Sequence, residues 1–284
     1  MTLASPRPFN PRLQRTAVAL AMLVACASAS ALPTFTFAPG AADTDPGVGV
    51  TPLAGASFTA DNILISDYST IRIDGAGNFT DSGFLSVSAF QIGPTTLIPT
   101  GLNSTYGMYF AFSGAGTTSL GNLATTSTSG TFTSLNYTLY GYNGPPASFG
   151  FDGSNNPTES ATGEVVLATG SLLNGTVSTT PAVAGNGAPF TPSAAAATTF
   201  AIAAGQAGFF AAPSPFHNLS FAAFTNTTTQ VQAITGGFRI SQGGGSINFA
   251  TTPPIPEPGT YALMLAGLGA IGFVARRRRR RPQN

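Results

Sequence analysis

STIRID, residues 69–74, alternates without a break: Ile71 and Ile73 stand among Thr70, Arg72 and Asp74. Successive side chains of a strand point to opposite faces, so such a run gives one apolar face and one polar face. Downstream, FLSVSAF (84–90), TYGMYFAF (105–112), TFTSLNYTLYGY (131–142), GEVVLATGSLL (163–173), NLSFAAF (218–224) and SINFATT (246–252) continue the series. Glycine, asparagine and proline separate these runs and supply turn chemistry. Only SAAAATTFAIAAG (193–205) has a helix-forming composition, weakened by Thr198, Thr199 and Gly205. Loops are expected over 141–160 and 179–193. The pattern predicts an all-β sandwich or jelly-roll-like domain over residues 32–250. Phenylalanine carries its core: the chain has 22 Phe and no Trp. Burying one phenylalanine contributes about 1.5–3 kcal/mol, so the set can hold a β domain without disulfides.

The basic residues cluster at the two ends. There is no lysine, and of eleven arginines only Arg72 and Arg239 fall between Leu32 and Ile255, against nine acidic residues, a net of −7 for that body. Nucleic acid is a poor partner for it, because binding needs clustered cations to displace counterions. At the start, Arg7, Arg12 and Arg15 precede an apolar run (16–25) and the small residues ACASASA (25–31). This is the pattern of a secretory signal peptide over residues 1–31, with Ala29 and Ala31 at the cleavage site; cleavage after Ala29 is the alternative. Cys26, the single cysteine, follows Leu23, Val24 and Ala25 in a run similar to a lipobox. If it is not lipidated it leaves with the leader, and the mature chain then has no disulfide and no thiol chemistry.

At the far end, TTPPIPEP (251–258) is a proline-stiffened spacer. Gly259 to Ala275 would span about 26 Å as a helix, close to the hydrocarbon thickness of a bilayer. Tyr261 suits the membrane interface. The basic tail, residues 276–284, holds Arg276, Arg277, Arg278, Arg279, Arg280 and Arg281. By the positive-inside bias that block stays in the cytoplasm and the body lies outside.

Pro256, Glu257 and Pro258, the apolar helix and the arginine block, in that order, resemble the PEP-CTERM sorting signal of Gram-negative bacteria. The resemblance implies export, a transient anchor in the inner membrane, cutting near the triplet by an exosortase, and release to the cell surface or extracellular matrix. The body resembles the flocculation-associated PEP-CTERM proteins, most strongly over Phe209 to Phe249. That resemblance implies a matrix protein needed for cells to aggregate in exopolysaccharide, and it carries no catalytic residues with it.

The residues themselves offer little chemistry. His217, the only histidine, lies in SPFHNLS and reads as a structural turn residue; no Gly-x-Ser-x-Gly elbow occurs. One histidine without cysteine does not make a zinc site, and no cofactor is expected. Asp74, Asn78 and Asp81 are weak Ca²⁺ candidates in a glycine-containing loop that departs from the twelve-residue calcium pattern. The favoured reading is a non-enzymatic surface or matrix protein, with Tyr106, Tyr109, Tyr137, Tyr140 and Tyr142 as candidates to lie against sugar rings. The alternative is a secreted carbohydrate-active hydrolase using two of the acids. Two buried carboxylates with raised pKa in a cleft would favour the hydrolase.

Overall fold

The computed structural model describes residues 32–42, 52–93, 95–96, 99–183 and 187–250. The expected signal peptide with Ala29 and Ala31, the spacer, the transmembrane helix and the basic tail lie outside the described residues, as do Cys26, Asp43 and Asp45. Among the described residues no helix is long and apolar enough to cross a membrane.

Eight strands follow one another along the chain: β1 (Asn62–Ile73), β2 (Asn78–Ile92), β3 (Tyr106–Thr118), β4 (Thr128–Asn143), β5 (Val165–Pro181), β6 (Phe190–Thr199), β7 (Leu219–Thr225) and β8 (Gly237–Ala250). Each pairs antiparallel with the next, and β8 returns to pair antiparallel with β1, so the sheet closes into an up-and-down barrel. The all-β expectation holds. The expected sandwich or jelly roll gives way to one sheet closed on itself, which leaves the barrel no unpaired edge. Closure needs strong coiling, and the sequence supplies it through glycines and bulges. A Cβ at Gly83 would collide with the backbone of Tyr68 and Ser69 on β1, so only glycine lets the two strands approach there. Bulges interrupt the register at Leu64/Ile65 and at Ser241/Gly243.

Alternation sets the inside. On β1 the buried residues Ile63, Ile65, Asp67, Ser69 and Ile71 point inward, while Leu64, Ser66 and Tyr68 between them are partly exposed. On β4 and β5 the outward residues Thr131, Asn136, Thr169, Ser171 and Thr176 face solvent.

Two phenylalanine-rich clusters fill much of the interior. In the first, the strand Phe35–Phe37 pairs with Phe58–Ala60 and Phe210–Ala212 in a small separate sheet. Its rings pack with the barrel residues Phe90 and Phe249. Phe37, fully buried, lies 4.9 Å from Phe209, 5.4 Å from Phe210 and 5.7 Å from Phe90, ring centre to ring centre. The second cluster gathers Ile71, Phe79, Phe190, Phe238 and Ile240 with Ala188 and Val231.

The alanine run at 194–197, helix-forming in composition, lies in β6, because pairing with β5 on one side and β7 on the other satisfies its backbone. That tertiary pairing overrides alanine's intrinsic preference. The expected loop 141–160 contains a hairpin, Phe149–Phe151 with Pro157–Glu159.

Candidate functional site

Between the two apolar clusters the barrel interior carries a polar layer around a cavity of about 120 Å³. Asp67 on β1 and Asp81 on β2 both line it. In register, Asp67 faces Leu85 and Asp81 faces Ile71, so the two acids sit two inward steps apart with Ser69 and Gly83 between. Asp67 is 5 % exposed. Asp81 keeps some exposed area, yet its Oδ1 is shut off from solvent. Neither Oδ1 meets a hydrogen-bond donor. Burial pushes the Asp67 carboxyl up to about 7, against the Ser69 hydroxyl beside it, which acts to lower it. Burial, and secondarily the charge of Asp67, pushes Asp81 well above the usual carboxylate range.

Asn226, just past β7 and 3 % exposed, lines the same cavity. Its Oδ1 lies where a Cβ on Gly243 would be, and Gly243 is the residue paired with Asp67. Glycine at 243 therefore makes room for the amide beside the carboxyl. The Asn226 Oδ1 also has no donor. Across the cavity the Tyr137 hydroxyl donates to Thr199 O at 3.0 Å and lies 3.1 Å from Ser220 Oγ. Thr198 Oγ1 lies 2.6 Å from the same Ser220 Oγ, so these hydroxyls satisfy one another.

The calcium candidates are split apart. Asp74 closes the β1–β2 turn: its Oδ1 accepts from Ala76 N at 2.8 Å and Asn78 N at 2.9 Å, and its Oδ2 from Asn78 Nδ2 at 2.8 Å. Asp81 points into the barrel instead, so the three expected ligands do not converge. Among the described residues no group of three or more His, Cys, Asp or Glu side chains could hold a metal ion. DGSNN (152–156) repeats the device of DGAGN (74–78). Asp152 Oδ1 accepts from Ser154 N and Asn156 N, both at 2.8 Å, and its Oδ2 from Asn156 Nδ2 at 2.9 Å. The left-handed position falls to Gly77 in one turn and Asn155 in the other. Hydrogen bonds from Asn78, and from Asn156, hold these two carboxyls below their ordinary value.

The second turn is the tip of the 149–159 hairpin, which lies along the outside of the barrel. Both arginines of the body hold it. Arg72 Nη2 donates to Ser154 O at 3.1 Å, and Arg239 Nη1 to Asn155 Oδ1 at 2.9 Å. The Arg239 guanidinium also sits 4.8 Å from the Phe151 ring centre. Phe149 inserts among Tyr68, Phe84 and Tyr109, at 5.6, 6.1 and 5.6 Å.

Most of the tyrosines expected to meet sugar are otherwise engaged. Tyr106, Tyr109 and Tyr142 are buried, and Tyr137 turns inward to the cavity. Tyr140 keeps partial exposure but stacks on Tyr109 at 5.2 Å. The Tyr109 hydroxyl donates to Glu164 Oε1 at 3.1 Å; burial, then the nearby charges of Glu159 and Glu164, raises its pKa. His217 is 6 % exposed, lies nearly parallel to Phe249, and places Nε2 3.1 Å from Thr34 O.

Sequence reading missed the polar interior. Its signal was present: in ILISDYSTI (63–71) Asp67 and Ser69 share the parity of Ile63, Ile65 and Ile71, so a polar side chain stands at a core position.

Residues 254–280 match the PEP-CTERM protein-sorting motif. No curated protein matches the chain, and no solved structure matches it. The motif implies an exported, membrane-transiting protein that an exosortase processes.

Proposed function

We propose that the barrel is a non-enzymatic surface or matrix protein. In this reading it is anchored briefly in the inner membrane, released near Glu257, and promotes cell aggregation and floc or biofilm formation by adhering to exopolysaccharide. The observation that carries adhesion is the outward ladder of β4 and β5. Asn136 opposite Ser171, Thr138 opposite Thr169 and Thr131 opposite Thr176 form an uncharged row of hydroxyls and amides on a rigid sheet. Such a row offers donors and acceptors to sugar hydroxyls without the cost of desolvating charge. It takes the role first expected of the tyrosines. The body's excess of acid disfavours a strongly acidic polymer unless a cation bridges the two.

The interior carboxyls give the hydrolase reading its one specific support, since they are buried and titrate high. They face a space of about 120 Å³ inside a closed barrel. A glycosidase needs its two carboxyls on either side of a bound glycosidic bond, with room for a chain on both sides. The outer ladder therefore fits a polysaccharide better than the interior does.

The test is to replace Asn136, Thr169, Ser171 and Thr176 together with Glu in the chromosomal copy and score aggregation. Loss of aggregation with normal export and unchanged far-UV circular dichroism is expected. Aggregation equal to the parent strain would overturn the adhesive face.

A further inference from the structure

The buried polar groups facing the cavity are unequal in kind. The hydroxyls of Tyr137, Thr198 and Ser220 satisfy one another, whereas Asp67 Oδ1, Asp81 Oδ1 and Asn226 Oδ1 are acceptors with no donor. Asp67 and Asn226 lie next to each other across Gly243. Leaving buried acceptors unpaired costs about 1–3 kcal/mol each, more for a charged group. What is missing is a group that brings several donors at once. The surrounding wall is aromatic, with Phe79, Phe110, Phe112, Phe132 and Phe224 among the lining residues.

We propose that the barrel interior is a binding site for a small hydrophobic primary amine, its ammonium set against Asp67 and Asn226 and its hydrocarbon body among the phenylalanines. An –NH₃⁺ group carries three donors, enough to serve Asp67 Oδ1 and Asn226 Oδ1 together. Aromatic faces attract a cation and also accommodate its hydrocarbon part. A divalent metal fits less well: Ca²⁺ takes six to eight oxygen ligands, and three acceptors on an apolar wall do not supply them. Size limits the body. An apolar cavity of about 150 Å³ holds benzene, so about 120 Å³ suits a body no larger than a butyl chain. The raised carboxyls agree with this, because a buried acid without a cation keeps its proton.

The purified full chain in detergent is titrated with n-propylammonium and n-butylammonium chloride, reading Tm and binding heat. n-Butanol, tetramethylammonium and Ca²⁺ serve as controls. A dose-dependent rise in Tm with the two primary amines, and none with the controls, is the expected result. Asp67→Asn should weaken amine binding roughly tenfold or more, since the neutral amide gives the ammonium no charge. Ala196→Leu, which fills the cavity and leaves the acids in place, should abolish the effect and serves where an Asp variant fails to fold. An equal response to n-butanol would make the site merely apolar, and a response to Ca²⁺ would make it a metal site. Either of these, undiminished binding in the variants, or no response to the amines would overturn the proposal.

Discussion

Stability should fall as pH rises from about 4 to about 7, opposite to the behaviour of a protein held by surface ion pairs. The perturbation is titration of Asp67. Its carboxyl has a value of 3.8 when free and about 7 in the barrel, because burial disfavours the charged form. A folded value above the unfolded one means that the native state binds the proton more tightly. The associated stability is fully present below the unfolded value and is lost as pH climbs through the folded value. A gap of about three pH units, at 1.36 kcal/mol each, corresponds to a loss on the order of 4 kcal/mol between pH 4 and 7. Asp81 acts in the same sense. Asp74 and Asp152, lowered in the fold, act oppositely but only as pH drops below about 4, so the maximum should lie near pH 4–5. The assay is urea unfolding of the full chain at half-unit steps from pH 3 to 8, with Asp67→Asn in parallel. The variant should flatten the decline and exceed the parent at pH 7. A parent profile that is level or rising between pH 4 and 7 would refute a neutral, buried Asp67.

Three further outcomes follow from other parts of the fold. Phe37→Ala should cost about 3–5 kcal/mol by urea unfolding, because Phe37 is fully buried among seven other aromatic rings. Arg72→Ala combined with Arg239→Ala should raise hydrogen exchange over residues 149–159 and leave β1–β8 protected, since those guanidinium groups hold the hairpin tip. Intact mass of the protein recovered from the cell surface should lack Arg276 to Arg281; their presence there would contradict processing at the sorting motif.

The strand content was readable because inward and outward residues alternate, as in 63–73 and 79–87. Closure was not readable. Glycines within β3, β5 and β8 look like turn residues in sequence, yet SGAGTT (113–118), LNGTVSTTP (173–181) and GGGS (243–246) all lie inside strands. Their small size permits close strand approach and coiling, so what reads as a break is part of the curvature. Taking them for turns divided long strands into short ones, and short strands suggested a sandwich. The alanine run of β6 joins the sheet for a related reason, since a backbone paired on both sides outweighs a local preference. The tyrosines were misplaced because a sequence does not show that the 149–159 hairpin covers the outer face of β1 to β3. Asp67 and Asp81 gave a weak signal, polar residues at core parity, which an emphasis on turn-located acids passes over.

The most direct test of the adhesive account uses the processed protein recovered from the cell surface, incubated with exopolysaccharide of the parent strain. Co-sedimentation and polymer chain length are both followed. Saturable co-sedimentation with no change in chain length is predicted; shortening of the polymer, or failure to sediment with it at all, would contradict the account.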